Sequence, residues 1–457
     1  MQYRIRELDA QVRFSEHLGL EALATVIPRD VIATVLAEQG AEAVRVRKLT
    51  MVTVVLVLIA MHLYARVALG RVLSQLARGL RLVWDEPEVV LPGASALCYR
   101  RYQLGAQPLV ALFHRICQPL TTPATPGAYR FGLRLLALDG TVEDVADSPA
   151  NVRAFGRHHS RRGDSAFPQI RVVAVVECGS HAVLDAGLWP IRVGESTVAA
   201  RLLRTVGPGT LLLWDSRFHS YDLLVAAQQH GAAVLGRLPA GVHPHPVRTL
   251  PDGSALVTLC PRPHTVPLPV RLVTYTHNDP GRPGHGERQR LITTLLDPAT
   301  APARELILTY HERWEFETTV DELDTHLRLA GHPLRSRRPV GVVQEFYALL
   351  LAHYAVRALM HAAAVQAGLD PDRLSFVAAV DLIRAAIPEF QLVAPREVER
   401  LVARLLHDLA RVTLPPRRNR SNPRVVKRKV AKFLRKRPEH VHWPQPTKPF
   451  AEAVVLI

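Results

Sequence analysis

Cysteine is scarce in this chain. The four residues, Cys98, Cys117, Cys178 and Cys260, stand far apart in 457 positions and form no CxxC pair. That excludes a secreted disulfide framework and points to a reducing cytoplasm. Acidic residues are also in short supply: 41 Asp plus Glu face 57 Lys plus Arg, for a formal charge of +16. Such an excess calls for a polyanionic partner, with nucleic acid the obvious candidate. Residues 1–10 (MQYRIRELDA) are charged and lack an apolar segment, so no signal peptide is expected. Residues 49–65 carry no charge over 17 positions, but Thr50, Thr53, His62 and Tyr64 interrupt them. The run is short for a bilayer and is expected to be a buried helix, with no membrane span.

What is present is enough apolar residue, 48% of the chain, for a globular protein of two or three domains. Residues 1–125 read as a helical domain from their apolar spacing. Within it, Ser95 is expected to cap a short helix carrying Tyr99, Arg100 and Arg101. That helix is either DNA-contacting through Arg100 and Arg101 or an ordinary exposed basic helix. From residue 126 to about 330 the texture becomes α/β. Strands are expected at 133–139 (LRLLALD), 170–176 (IRVVAVV) and 181–188 (HAVLDAGL), then a helix at 195–206 and a strand at 210–215 (TLLLWD). A helix at 221–229 and a strand at 232–237 (AAVLGR) complete the order β-β-β-α-β-α-β, which is that of the ribonuclease H-like fold. Pro and Gly clusters with strand-like pieces mark a β insertion at about 240–300. A helical C-terminal region spans 331–412, and a basic tail spans 413–457.

Asp139 and Asp215 are each expected to end an apolar strand, on strands that neighbour one another in that fold. Carboxylates held side by side repel unless a cation lies between them, and their oxygens suit Mg²⁺ or Mn²⁺. Residues 310–324 (YHERWEFETTVDELD) should supply a third. At about 100° per residue, Tyr310, Arg313 and Glu317 fall on one helical face, while Phe316, Val320, Leu323 and Leu327 gather on the next and can pack against a sheet. The same spacing also fits a solvated face with an ordinary Arg313–Glu317 pair. Residues 417–437 hold eleven Lys or Arg and no acid. They are either a solvated tail or a phosphate-binding segment through residues such as Arg424, Lys427, Arg428 and Lys429, with Val425, Val426, Val430, Phe433 and Leu434 to seat it.

The spacing Tyr310, Arg313, Glu317 resembles the YREK signature of the insertion sequence 4 family of bacterial DDE transposases. So do DGTVEDVADSPANVRAFGR at 139–157, LLLWDSRF at 211–218, LRSRRPVGVVQEFYALLLAHYAVR at 334–357 and SNPRVVKRK at 421–429. The resemblance covers nearly the whole chain. It implies a helical N-terminal DNA-binding domain and three metal-binding catalytic carboxylates, Asp139, Asp215 and Glu317. It places Tyr310 and Arg313 on DNA phosphate. It also implies a homodimer on double-stranded DNA, cutting transposon ends and joining them to target DNA with Mg²⁺, in the cytoplasm at the nucleoid. Two positions depart from the pattern: the family lysine falls on Asp324, and the usual Asp-Arg-Gly-aromatic reads Asp215, Ser216, Arg217, Phe218. Two rival readings follow, a catalytically inactive DNA-binding derivative, which Asp324 motivates, and a metal-dependent nuclease without strand transfer.

Overall fold

The computed structural model describes all residues except 1–2, 9–13, 43–48, 85–89, 161–162, 261–265, 330, 416–424 and 427–433. The chain divides into two compact units. The first comprises Met1–Tyr129, Leu136–Thr205 and Trp314–Leu414; the second comprises Arg130–Leu135, Val206–Arg313 and Pro415–Ile457.

In the first unit, helix Met51–Leu63 is apolar on every side and almost wholly buried, as such a helix must be. Thr50 caps it, its hydroxyl accepting from the Thr53 N–H at 3.1 Å. Helix Pro339–Ala367 packs against it. Pro339 occupies the first turn, where a missing N–H costs nothing, and Gly368 ends the helix at φ 64. This helix is long and apolar enough to span a bilayer, but 83% of its apolar window is buried within the protein, so it serves as a core helix. Strands Leu133–Asp144, Gln169–Glu177 and Val183–Pro190 form an antiparallel meander, with Asp139 opposite Ala174.

Three details differ from the sequence expectations. The first strand does not end at Asp139; it runs on to Asp144 because residues 140–144 keep their ladder with the second strand. Helix Ala94–Leu104 starts one residue before Ser95, with Gly93 at its N-cap. Residues 310–324 do not form one helix of constant pitch. Helix Ala303–His311 tightens into a 3₁₀ turn at Glu312–Trp314, resumes as Glu315–Asp321 and widens into a π turn at Glu322–His326.

In the second unit, Thr210–Trp214 and Ala233–Arg237 lie parallel, joined through helix Tyr221–Gln229. Arg134 donates its N–H to Gly209 O at 2.8 Å. Trp214 is fully buried against Gly236, where any Cβ would lie 2.2 Å from the indole nitrogen. The expected β insertion is strands His245–Thr249, Ala255–Leu259, Leu268–His277 and Gln289–Thr293, the last antiparallel to Ala233–Arg237. The end of the chain is not a free tail. Val454–Leu456 pairs with Leu268–His277, and Asp279 accepts the N–H of Thr447 at 3.1 Å and its hydroxyl at 3.0 Å. The order along the chain, three antiparallel strands followed by helix, strand, helix and parallel strand, is that of a ribonuclease H-like core.

Candidate active site

Asp139 and Glu317 belong to the first unit, and Asp215, Tyr310 and Arg313 to the second. Side chains on a strand alternate, so Asp139, Thr141 and Glu143 share one face. Thr141 and Glu143 line a cavity together with Phe316, Thr319, Val320, Leu323 and Asp324. The face of the strand that carries Asp139 is therefore the one covered by the segment that carries Glu317. The apolar residues Phe316, Val320 and Leu323 were expected to pack there, and they do. Asp139 and Glu317 are both half-buried, and one Asp139 oxygen accepts the Gly140 N–H at 2.8 Å.

Asp215 follows the buried strand end at Trp214 and caps the turn Ser216–Phe218, accepting the Arg217 N–H at 2.8 Å. Burial pushes the Tyr310 phenol up to about 12, with Arg313 pulling the other way and Tyr275 and Asp215 adding to the rise. The phenol is therefore a proton donor at any physiological pH. The Arg313 guanidinium carbon lies 5.9 Å from the centre of the Tyr310 ring, a cation–π contact. Phenol, guanidinium and Asp215 thus share one electrostatic environment. Tyr275, the one Phe, Trp or Tyr of residues 240–300, is buried on its strand and offers no exposed ring.

Arg100 and Arg101 lie in the interior rather than on a DNA-facing surface, at 8% and 6% exposure. Arg101 donates to Gln344 Oε1 at 2.8 Å, Ser336 Oγ at 2.7 Å and Gly341 O at 2.6 Å; Arg100 donates to Leu49 O at 3.1 Å. A helical face that looks basic in sequence has its guanidinium groups turned into the protein. Arg101→Ala should cost about 3 kcal/mol of stability. Its DNA affinity per folded molecule should keep the wild-type salt dependence, whereas loss of a phosphate contact would lower the salt slope by about one. Thermal melts and salt-titrated binding check this. Arg424, Lys427, Arg428 and Lys429 lie outside the described residues.

Asp324 is half-buried. It accepts from Arg328 at 2.9 Å, and Arg328 also pairs with Glu143. Burial, then the neighbouring Asp324, push the Glu143 carboxyl up to about 8, against the pull of Arg328. Asp324 is raised as well, again chiefly by burial. Unfolded glutamate titrates near 4.3, so between about pH 5 and 8 the folded chain holds the extra proton and stability falls as pH rises. Glu143→Gln should flatten that part of the profile, read as urea midpoints at pH 5 and 8.

A second buried cluster, in the first unit, was not expected. His181 lies in the turn after Gln169–Glu177 at φ 59 and is 1% exposed. Its Nε2 is 2.8 Å from Glu315 and 3.1 Å from Asp372, and its Nδ1 is 3.2 Å from Glu322. Glu322 also accepts from His353 Nε2 and Arg357 Nε, each at 2.9 Å. Burial and Arg357 oppose charge on His181, but Asp372 and Glu322 outweigh them and hold the imidazole well above its ordinary range. Burial acts against the Glu322 carboxylate, yet Arg357 and His181 hold it well below. The signal in sequence was His353 and Arg357, four apart on one face of helix Pro339–Ala367. His181, Glu315 and Asp372 bring ligand atoms within 4.8 Å of one another and could hold a metal ion, but none is among the three carboxylates read from the sequence.

Two family models match the chain, Insertion element 4 transposase N-terminal over residues 17–114 and Transposase DDE domain over residues 130–355. The chain belongs to the insertion sequence 4 family of DDE transposases. This transposase is 28% identical over 431 residues to transposase InsG for insertion sequence element IS4 of Escherichia coli (strain K12), covering 91% of this chain and 93% of that one. It is 32% identical over 176 residues to InsZ of the same organism, covering 37% of this chain and 57% of that one. Among solved structures, the piggyBac transposase synaptic complex with hairpin DNA aligns with a TM-score of 0.47 and 12% identity, over 92% of this chain and 90% of that one. The family membership makes the protein a DNA transposase whose DDE domain works with divalent metal.

Proposed function

We propose that Asp139, Asp215 and Glu317 are the metal-binding catalytic carboxylates, that the metal is Mg²⁺, with Mn²⁺ able to replace it, and that the substrate is the phosphodiester at a transposon end. The observation that carries this reading is the shared face: the strand side bearing Asp139 is covered by the segment bearing Glu317, within the matched DDE domain. Three half-buried carboxylates offer only oxygen donors, which fits a hard divalent cation and not a soft one. Bound ions would supply charge to activate the attacking water and to offset the leaving 3′ oxygen.

The chain's own groups do the rest. Asp139, Asp215 and Glu317 hold the cations, and Arg313 offsets charge on the phosphate, which an electrostatically driven displacement requires. The protonated Tyr310 phenol donates to a phosphate oxygen. The freed 3′-OH then attacks target DNA in the same site. The basic residues Arg424, Lys427, Arg428 and Lys429 add phosphate contacts, and a homodimer on double-stranded DNA in the cytoplasm holds two ends together.

Incubating the purified protein with a transposon-end duplex and a target plasmid tests this. Nicking that depends on Mg²⁺ or Mn²⁺, stops with chelator, and yields ends joined to the plasmid is expected. Nicking without joining would leave a nuclease, and no nicking beside intact end binding would leave an inactive DNA-binding derivative.

A further inference from the structure

Glu317 sits between two residues that one buried histidine holds. Along the segment, Glu315 and Glu322 are seven apart, so at about 100° per residue they lie within roughly 20° of each other, while Glu317 points about 140–160° away. The buried residues Glu315, Thr319 and Glu322 form the inner side of this segment. His181 meets both acids, Nε2 against Glu315 at 2.8 Å and Nδ1 against Glu322 at 3.2 Å, with the Arg357 Nη2 lying against both that Nδ1 and Glu322 Oε1. Asp372 lies 3.1 Å from the same Nε2, and His353 and Arg357 of helix Pro339–Ala367 hold the second carboxylate of the pair. Thr319 adds a hydrogen bond from its hydroxyl to Glu315 O at 2.9 Å. On either side of Glu315–Asp321 the pitch changes, to a 3₁₀ turn before and a π turn after. A seven-residue helix between two pitch changes has little rigidity of its own, because short helices depend on tertiary contacts.

We propose that His181, gripping Glu315 and Glu322 together, is a positioning residue that fixes the rotation of this segment and so aims the Glu317 carboxylate at the metal. His181 reaches no reacting atom; it acts through the segment's backbone. Partners of this kind behind a metal ligand are worth about 10–100-fold in metal affinity. The proposal rests on Glu317 being a metal ligand.

The test uses the full chain, a transposon-end duplex, and cleavage measured across Mg²⁺ and Mn²⁺ concentrations, with end binding measured without metal. Glu315→Ala should raise the Mg²⁺ needed for half-maximal cleavage at least about tenfold while leaving end binding unchanged. Mn²⁺, which binds such sites more tightly, should restore much of the rate. Glu315→Gln keeps an acceptor for His181 and should stay close to wild type. Should Glu315→Ala fail to fold, Glu315→Asp, with an arm shorter by one methylene, is read the same way. A folded Glu315→Ala or Glu315→Asp with wild-type metal dependence overturns the proposal, as does a rate loss equal at every metal concentration. Glu317→Gln is run beside them: if it still cleaves, the assignment of Glu317 has failed, and if it is dead while the Glu315 variants respond normally to metal, the grip alone has failed.

Discussion

Asp139→Asn, Asp215→Asn and Glu317→Gln should each reduce strand cleavage by on the order of 10³-fold or more and leave transposon-end binding unchanged. Each amide keeps the shape of the acid and removes its charge. The fold should tolerate this, since all three side chains are half-buried and the Asp139 and Asp215 oxygens accept local N–H groups that an amide oxygen can also accept. What an amide cannot do is neutralise a divalent cation. Two signatures should therefore travel together, loss of cleavage and loss of the thermal stabilisation that Mg²⁺ gives the wild type, since a ligand stabilises only the state that binds it. Gel shifts, nicking assays and melting curves with and without Mg²⁺ check this. Any single variant that still cuts at near wild-type rate removes its residue from the site.

Arg357→Ala should be among the most destabilising single changes in the first unit. Arg357 is 3% exposed and is the guanidinium that faces Glu322, which is itself 5% exposed. Removing it takes the guanidinium away from a cluster of three buried or half-buried acids, Glu315, Glu322 and Asp372. Breaking a buried ion pair from one side typically costs about 3–5 kcal/mol. The melting temperature should fall on the order of 10 °C. Replacing both partners with neutral groups, Arg357→Met with Glu322→Gln, should recover part of that loss, because a buried charge is no longer left without its counter-charge. Thermal unfolding of Arg357→Ala, Arg357→Met and the double variant measures this. A double variant no more stable than Arg357→Met alone would mean that the loss does not come from unanswered charge.

Much of the core was readable because its physics is local. Apolar runs of strand length, with turns between them, located 169–177, 210–214 and 233–237 to within a residue or two. The apolar stripe of Phe316, Val320 and Leu323 was legible for the same reason. What could not be read was where a charged side chain ends up. Arg100 and Arg101 look like a basic surface in sequence, and only packing against residues more than 230 positions away shows that Ser336, Gly341 and Gln344 consume the donors of Arg101. Asp324 likewise reads as a lost phosphate contact until Glu143 and Arg328 are seen beside it. The pitch changes around Glu315–Asp321 escaped because the pattern of apolar residues tolerates either pitch over so few turns. His181 lay in a stretch read as strand, and its positive φ has no marker in a lone histidine.

The pairing of Val454–Leu456 with Leu268–His277 also bears on how the protein is made. Residues 275–277 leave the ribosome with a bare edge and wait about 180 positions of further synthesis for the strand that covers it, a long-range closure of the slow kind. Through that interval the nascent chain carries an exposed strand template, so its yield in cells should depend on chaperones and on translation speed more than its final stability would suggest.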